Sequence, residues 1–343
     1  MQKILITGGA GFIGSHISTL LLQSNNEVVI IDNFSNSSKK VLKKIKDIVK
    51  EKYSNLFFYE FNISNETELE KIFSIHDFDS VIHLAGYKSV SESLQRPLSY
   101  YINNLSNSLP LLKIMQKFNV KNLVFSSSCA VYDHPLICPL NESHPALNPI
   151  STYGKSKLFF ENILRDIYGS SYEWNIIVLR YFNPAGAHPS GVIGEFPADE
   201  IPKNLIPYIT KFSQFKNYEY VFYGADFKTY DGTGVRDYVH IIDLSEGHIN
   251  AIEFLMNHNN QFKVINLGYG HGVSVKEVVN TFEDFLNRDL KYLFMNRRAG
   301  DADEAYADVS YAREVLNWNP RYNLRDICKH SLNFIKKNPN GYK

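Results

Sequence analysis

Cysteine is scarce: three in 343 residues (Cys129, Cys138 and Cys328), too few and odd in number for a disulfide framework. That points to a reducing compartment and a cytoplasmic protein. A surplus of charge is missing too, because 36 basic residues face 36 acidic ones. Sequence-independent nucleic-acid binding rests on polyelectrolyte attraction, so no nucleic-acid partner is expected. No apolar run approaches the roughly 20 residues that span a bilayer. The apolar start Ile4-Leu5-Ile6 breaks at Gly8, too soon for a signal-peptide core, so no membrane partner is expected. There is no internal repeat and no low-complexity linker. What remains is 44% hydrophobic and 21% charged, the balance of an ordinary globular chain. At about 150 residues per domain, the length suggests two domains.

Short apolar runs alternate with amphipathic stretches through the first half. The runs 3–7, 27–32, 55–63, 80–86, 122–128 and 175–183 read as strands. Several are apolar at consecutive positions, as expected when helices cover both faces of a parallel sheet. Between them the patterns over 14–24, 39–52, 66–74, 98–118 and 153–168 read as helices. Such alternation predicts a doubly wound, mostly parallel α/β (Rossmann) domain over 1–183. After Asn183 five prolines, from Pro184 to Pro207, punctuate a stretch without clear alternation. It reads as a smaller α/β substrate domain over 184–343, of which 236–269 return in part to the first sheet.

The first predicted strand runs into Gly8-Gly9-Ala10-Gly11-Phe12-Ile13-Gly14, where Gly9, Gly11 and Gly14 match G-x-G-x-x-G. Glycines there permit a tight turn and let backbone approach a pyrophosphate, which then faces the positive helix N-terminus. The second strand ends in Asp32, eighteen residues beyond Gly14. A carboxylate at that point accepts hydrogen bonds from the ribose hydroxyls of NAD and repels the 2′-phosphate of NADP. No arginine follows it, so the cofactor is expected to be NAD.

Tyr153 and Lys157 are four apart, on one face of a helix whose Phe160, Ile163, Leu164 and Ile167 keep helical spacing. A phenol titrates near 10 and is a poor base at neutral pH unless its anion is stabilised, here by an ammonium one turn away and by the positive nicotinamide. Ser128 ends the strand before this helix, where the ligand-facing groups of α/β sheets lie. His188, His240 and Asp243 lack a third ligand at a known spacing, so no metal is expected. Cys129 has no identifiable base and is read as packing.

These motifs resemble the extended short-chain dehydrogenase/reductase family and, within it, the UDP-glucose (UDP-galactose) 4-epimerases. The resemblance also rests on 83–88, on 179–189 with its N-P-A-G-A-H-P run, on 231–240 with D-G-T-G-V-R-D-Y, and on 297–301. It covers nearly the whole chain. It implies epimerisation of UDP-hexoses at C4 through a transient 4-keto sugar, with NAD retained throughout, in a homodimer. Ser128, Tyr153 and Lys157 would be catalytic, with Lys157 also fixing the nicotinamide ribose. Gly8, Gly11, Phe12 and Ile13 would hold the pyrophosphate; Asp32, Asn33, Asn36 and Ser37 the adenosine ribose; Asn62 and Ile63 the adenine end. Leu84, Ala85, Gly86, Lys88, Asn103, Ser126, Tyr181 and Phe182 would line the rest of the NAD groove. Asn183, Asn204, Leu205, Val221, Tyr223, Arg236, Arg298 and Asp301 fall where the family grips the UDP-sugar substrate.

The resemblance also implies a gate just beyond Gly300-Asp301, where a small residue admits N-acetylated sugars. Alignment places Ala305 there, and a slip of one residue would substitute Tyr306. Three positions depart from the family pattern: Asn62 replaces an aspartate, Asp133 replaces a glycine, and Pro110 interrupts the helix read over 98–118. The proline is expected to kink that helix or cost about 3 kcal/mol. A 4,6-dehydratase is disfavoured, since Cys129-Ala130 stand where an Asp-Glu pair would work. A uronate-modifying enzyme of the same family and a non-catalytic NAD-sensing protein remain as alternatives.

Overall fold

The computed structural model describes residues 1–132, 137–170, 173–195, 201–298 and 301–342. Asp133 and Gly300 lie outside the described residues. A seven-stranded parallel sheet is built from β1 (Lys3–Thr7), β2 (Glu27–Asp32), β3 (Leu56–Glu60), β4 (Ser80–His83), β5 (Asn122–Ser128), β6 (Asn175–Tyr181) and one late strand, Phe262–Leu267. The order is late strand, β6, β5, β4, β1, β2, β3. This is the doubly wound α/β fold that the alternation predicts. Successive residues of β1 enter different cores: Ile4 and Ile6 pack on one face and Leu5 on the other. Burial on both faces explains why the strand sequences are apolar without alternation.

The helices are α1 (Phe12–Gln23), α2 (Lys40–Val49), α3 (Glu66–Ile75), α4 (Val90–Gln95), α5 (Pro97–Asn104), α6 (Leu109–Lys117) and α7 (Thr152–Tyr168). The helix expected over 98–118 is in fact two, separated by a 3-10 turn at Ser106–Ser108. Pro110 falls in the first turn of α6. Its missing N–H there has no intrahelical acceptor to lose, so the expected interruption takes the form of a break just before the proline and the cost does not arise. Strands expected over 55–63 and 80–86 end early, at Glu60 and His83, where the chain turns away from the sheet edge toward the loops.

Beyond β6 the structure is richer in regular elements than the sequence suggested. It contains β7 (Asn183–Ala185), α8 (Leu205–Phe212), β8 (Glu219–Tyr223), β9 (Val235–Arg236), β10 (Tyr238–His240) and α9 (Ile241–Asn257). The late sheet strand is β11. After it come β12 (Val273–Ser274), α10 (Val275–Leu286), β13 (Lys291–Met295), β14 (Glu304–Ala305), α11 (Ser310–Leu316) and α12 (Leu324–Lys337). Here β10 pairs β7, β8 pairs β13, and β9 lies between β12 and β14. Partners this short and this far apart in sequence leave no period to read. A third apolar cluster, with Tyr208, Tyr220, Phe222, Phe282 and Ile327, holds this region together.

Candidate active site

The strand order reverses between β1 and β4: β2 and β3 lie on one side of β1, β4 to β6 on the other. A crevice outside the carboxyl ends of strands at such a switch point is where α/β folds bind ligands. The Gly8 turn and the 84–86 segment face each other there. Gly8 has φ +71, and a Cβ on it would stand 2.9 Å from the Ala85 nitrogen. A Cβ on Gly14 would stand 2.6 Å from the Gly8 carbonyl oxygen. Only glycine allows so close a turn and so close a helix. Gly11 caps α1 without a side-chain hydrogen bond, so the N–H groups that open the helix at Phe12 and Ile13 point out unshielded by any cap. This cradle fits the pyrophosphate of NAD.

Asp32 closes the far end. Its carboxylate accepts from Ala10 N at 3.0 Å, Phe34 N at 2.8 Å and Ser37 Oγ at 2.9 Å. A carboxylate offers about four lone-pair sites, so one stays free for a ribose hydroxyl. Asn33 and Asn36 are exposed beside it. Asn62 instead accepts from Ser64 N, and the Ile63 side chain is buried in the core, which leaves its backbone for the adenine end. Leu84 N and Ala85 N donate to Thr7, through its carbonyl and its hydroxyl. Lys88 pairs with Glu195 at 2.8 Å, and the Asn103 amide donates to Asn104. Phe182 is a core side chain.

At the end of β5 and on α7 the catalytic candidates converge. Ser151 caps α7 by accepting from Gly154 N, which sets Tyr153 and Lys157 on its buried face. Tyr153 and Lys157 are 6% and 5% exposed. Lys157 Nζ donates to the Ser126 carbonyl at 2.8 Å. Burial pushes the Tyr153 phenol up to about 12, and a hydrogen bond with Ser128 draws it part of the way back. Burial also brings the Lys157 ammonium down to about 8, against the pull of the Glu161 charge. Tyr181 closes this side, its phenol likewise raised by burial. Burial pushes the Cys129 thiol up to about 12, so it is no nucleophile.

The opposite wall carries charge. Arg236, on β9, and Arg298 both approach Asp301, at 3.6 and 3.0 Å. Arg298 lies over the Tyr223 ring, 5.7 Å from its centroid, and Val221 is two residues back on the same strand. The field of Arg236 reaches Cys129, next to Ser128, which ties this wall to the reacting end. Asn204 caps α8 ahead of Leu205 without using its side chain, and Asn183 N donates to the Asp237 carbonyl. In the parallel register Ala305 pairs with Arg236 and shares its face, while the Tyr306 ring packs by Gly272 on the other. His240 accepts from Ile242 N and meets His330 at 3.0 Å; Asp243 accepts from Tyr322 N.

Sequence reading missed the groups behind these. Thr7 Oγ1, His83 and Ser108 form a buried chain with distances of 2.7 and 3.0 Å, and Glu161 with Arg180 forms a buried ion pair. A glutamate four residues beyond Lys157 on the same helix face was the available signal for the second.

A family model described as GDP-mannose 4,6 dehydratase matches residues 5–331. "UDP-glucose 4-epimerase 2" of Arabidopsis thaliana is 44% identical, over 99% of this chain and 97% of its own. The UDP-glucose 4-epimerase of Bacillus subtilis is 43% identical over 100% of this chain and 99% of its own. The crystal structure of the Bifidobacterium longum UDP-glucose 4-epimerase, in complex with NAD+ and UDP, superposes with a TM-score of 0.94 at 42% identity, covering 99% of this chain and 100% of that one. Switch-point cradle, dyad helix and whole-length similarity agree, and this chain belongs to the UDP-glucose 4-epimerase family of extended short-chain dehydrogenase/reductases.

Proposed function

We propose that this protein interconverts UDP-galactose and UDP-glucose by NAD-dependent epimerisation at C4. The observation that carries the reading is the convergence of Ser128, Tyr153 and Lys157 beside the switch point that holds the glycine cradle, with Lys157 Nζ 3.8 Å from where a Cβ on Gly86 would stand. NAD, when bound, supplies the hydride acceptor and donor for the sugar C4. Residues 1–183 supply most of its groove and 184–343 most of the UDP-sugar site. Gly8, Gly11 and the opening of α1 hold the pyrophosphate, Asp32 and Ser37 the adenosine ribose, and Lys157 the nicotinamide ribose.

Tyr153 Oη takes the proton of the sugar 4-hydroxyl while Ser128 Oγ hydrogen-bonds the same oxygen. A phenol at about 12 is not a base at neutral pH. Positive charge must lower it, and in this reading part of that role falls to Lys157, whose Nζ is anchored on the Ser126 carbonyl. The 4-keto sugar then turns over about its link to the diphosphate, and Tyr153 returns the proton. That sequence requires the nucleotide to be held firmly by Arg236 and Arg298 and the sugar loosely.

Ala305 is small and pairs with Arg236 in the strand register, which supports N-acetylated UDP-hexoses as further substrates. Leu98, Ile102 and Phe159 are exposed on α5 and α7, at 70%, 47% and 45%, and form the face of a homodimer. Leu98→Asp is expected to give monomers in sedimentation velocity, and an unchanged dimer sinks that assignment. The described cysteines are free, in keeping with a reducing, cytoplasmic compartment. No helix among the described residues is long and apolar enough to cross a membrane.

Proton NMR of the purified protein with UDP-galactose, and separately with UDP-N-acetylgalactosamine, no cofactor added, tests the reading. Conversion of both supports it. Conversion of UDP-galactose alone removes the assignment of Ala305, and failure of both even with NAD supplied removes the epimerase.

A further inference from the structure

The three residues that end β5 meet three residues one turn apart on α7. The Ser128 hydroxyl, which accepts from Ala130 N, acts on the Tyr153 phenol to ease its ionisation, the Ser126 carbonyl accepts from Lys157 Nζ at 2.8 Å, and Ser127 Oγ donates to Glu161. Two of these contacts serve the proposed reaction; the third has no part in it. Glu161 is 1% exposed, and a lone carboxylate that deep is costly unless paired. Arg180 on β6 pairs it with a fork, Nε at 3.1 and 3.2 Å and Nη2 at 2.6 Å. Arg180 is fixed in turn over the Tyr132 ring at 4.9 Å, and Tyr132 Oη donates to Asn266 at 2.6 Å.

We propose that Glu161 is a positioning residue for the epimerisation: clamped by Arg180 and Ser127 one turn beyond Lys157, it keeps that lysine charged and sets the height of α7 against the end of β5. The inference rests on the proposed function. A buried ion pair adds little net stability against an apolar pair of the same volume, so stability alone does not account for placing one here. Its field does have a target. The groups packed around Lys157 and the Ser126 carbonyl it donates to bring no second carboxylate among the described residues, and α5 contributes the Asn104 amide, which donates to Ser156. On its own helix stands the neutral Tyr153. From β4 comes His83, which burial and the Lys157 charge hold neutral with a pKa of about 3. From β5 come the Phe125 ring, 4.8 Å from Nζ, and the Ser126 carbonyl. From β6 come Arg180, spent on Glu161, and Tyr181, against Tyr153 and Ser126. From α9 comes His248, bonded to Ser126 Oγ and neutral at about 4. Among the described residues, Glu161 is the carboxylate whose charge opposes the loss of the Lys157 proton.

Because the reaction needs Lys157 protonated, weakening the Glu161 field moves the alkaline limb of kcat toward neutrality. The test uses the holoenzyme as purified. Glu161→Gln combined with Arg180→Met removes both buried charges together and leaves neither orphaned. The Lys157 midpoint is followed by its 13Cε NMR signal, identified by its loss in Lys157→Met, and kcat on UDP-galactose is measured across pH. Both midpoints are expected to move acid in the double variant, by less than the unit or more an unpaired carboxylate would give, because the Arg180 charge leaves with that of Glu161. Glu161→Asp, which keeps the charge, should hold them near wild type. A folded double variant with both midpoints unmoved overturns the proposal, because a purely structural role lowers melting temperature and kcat without moving the limb. If the double variant does not fold, Ser127→Ala takes its place. It should move both midpoints in the same direction by less, and no movement again overturns the proposal. A wild-type protein that turns over no UDP-sugar defeats the epimerase reading instead, while the NMR titration still decides whether Glu161 sets the state of Lys157.

Discussion

Tyr153 and Lys157 sit in a buried, nearly neutral pocket of hydroxyls, carbonyls and uncharged histidines. Arg236, Arg298 and Asp301, across the cleft, are a partly solvated group of full charges already engaged with one another. The first wall is built for pKa control, which needs low dielectric and few competing charges. The second suits the grip on a diphosphate proposed for it, where charge density counts and solvent is tolerated. An epimerase needs both kinds of wall, since it must hold one part of the substrate still while the other turns.

The sharpest way to break this contrast is to remove one group from each side. Tyr153→Phe should lower kcat on UDP-galactose by about 10²–10⁴-fold with little change in KM. A rise in KM with kcat preserved would show that the buried wall binds rather than reacts. Arg298→Ala and Arg236→Ala should do the reverse, raising KM by about 10- to 150-fold each while kcat holds, as expected for a charge-assisted contact worth about 1.5–3 kcal/mol. An equal fall in kcat would merge the two walls into one.

Acid separates them next. Burial holds His83 at about 3 and His248 at about 4 behind the dyad. Folded values below the unfolded 6.5 mean that the stability they contribute is fully present above pH 6.5. It is lost as pH falls from there toward 4, by up to about 1.4 kcal/mol per pH unit for each. Urea midpoints at pH 7 and 5 measure this, and His83→Asn should flatten the slope. Salt gives the smallest effect: raising ionic strength screens the partly solvated arginines and should raise KM a few-fold without touching kcat. A salt-dependent kcat would argue against the division.

The same contrast marks how far the sequence could be read. The cradle, Asp32 and the Tyr153–Lys157 spacing are local signals, each within one turn or one strand end, and they stand together in the structure. The parallel strands were legible because burial on both faces makes them apolar without interruption. The second region was opaque because β9, β12 and β14 are two residues each and find their partners across dozens of residues. Glu161 with Arg180 and Lys88 with Glu195 were missed for a related reason: a charge pair across two elements has no periodicity. Pro110 marked the interruption of the 98–118 helix but not its form, because a break and restart set by the 3-10 turn before it leave no single-residue signal.

The path of the chain has a mechanical consequence. After β6 it leaves the main sheet, then re-enters through α9 and returns as β11, where six residues pair with β6 from Phe262–Ile176 to Leu267–Tyr181. It leaves once more to form the Arg298 wall and ends in α12. The two walls of the cleft are therefore stitched by several crossings rather than joined by one hinge, and swinging them apart would mean unzipping a parallel strand. With the walls joined in this way, the part left to pivot in the proposed reaction is the sugar.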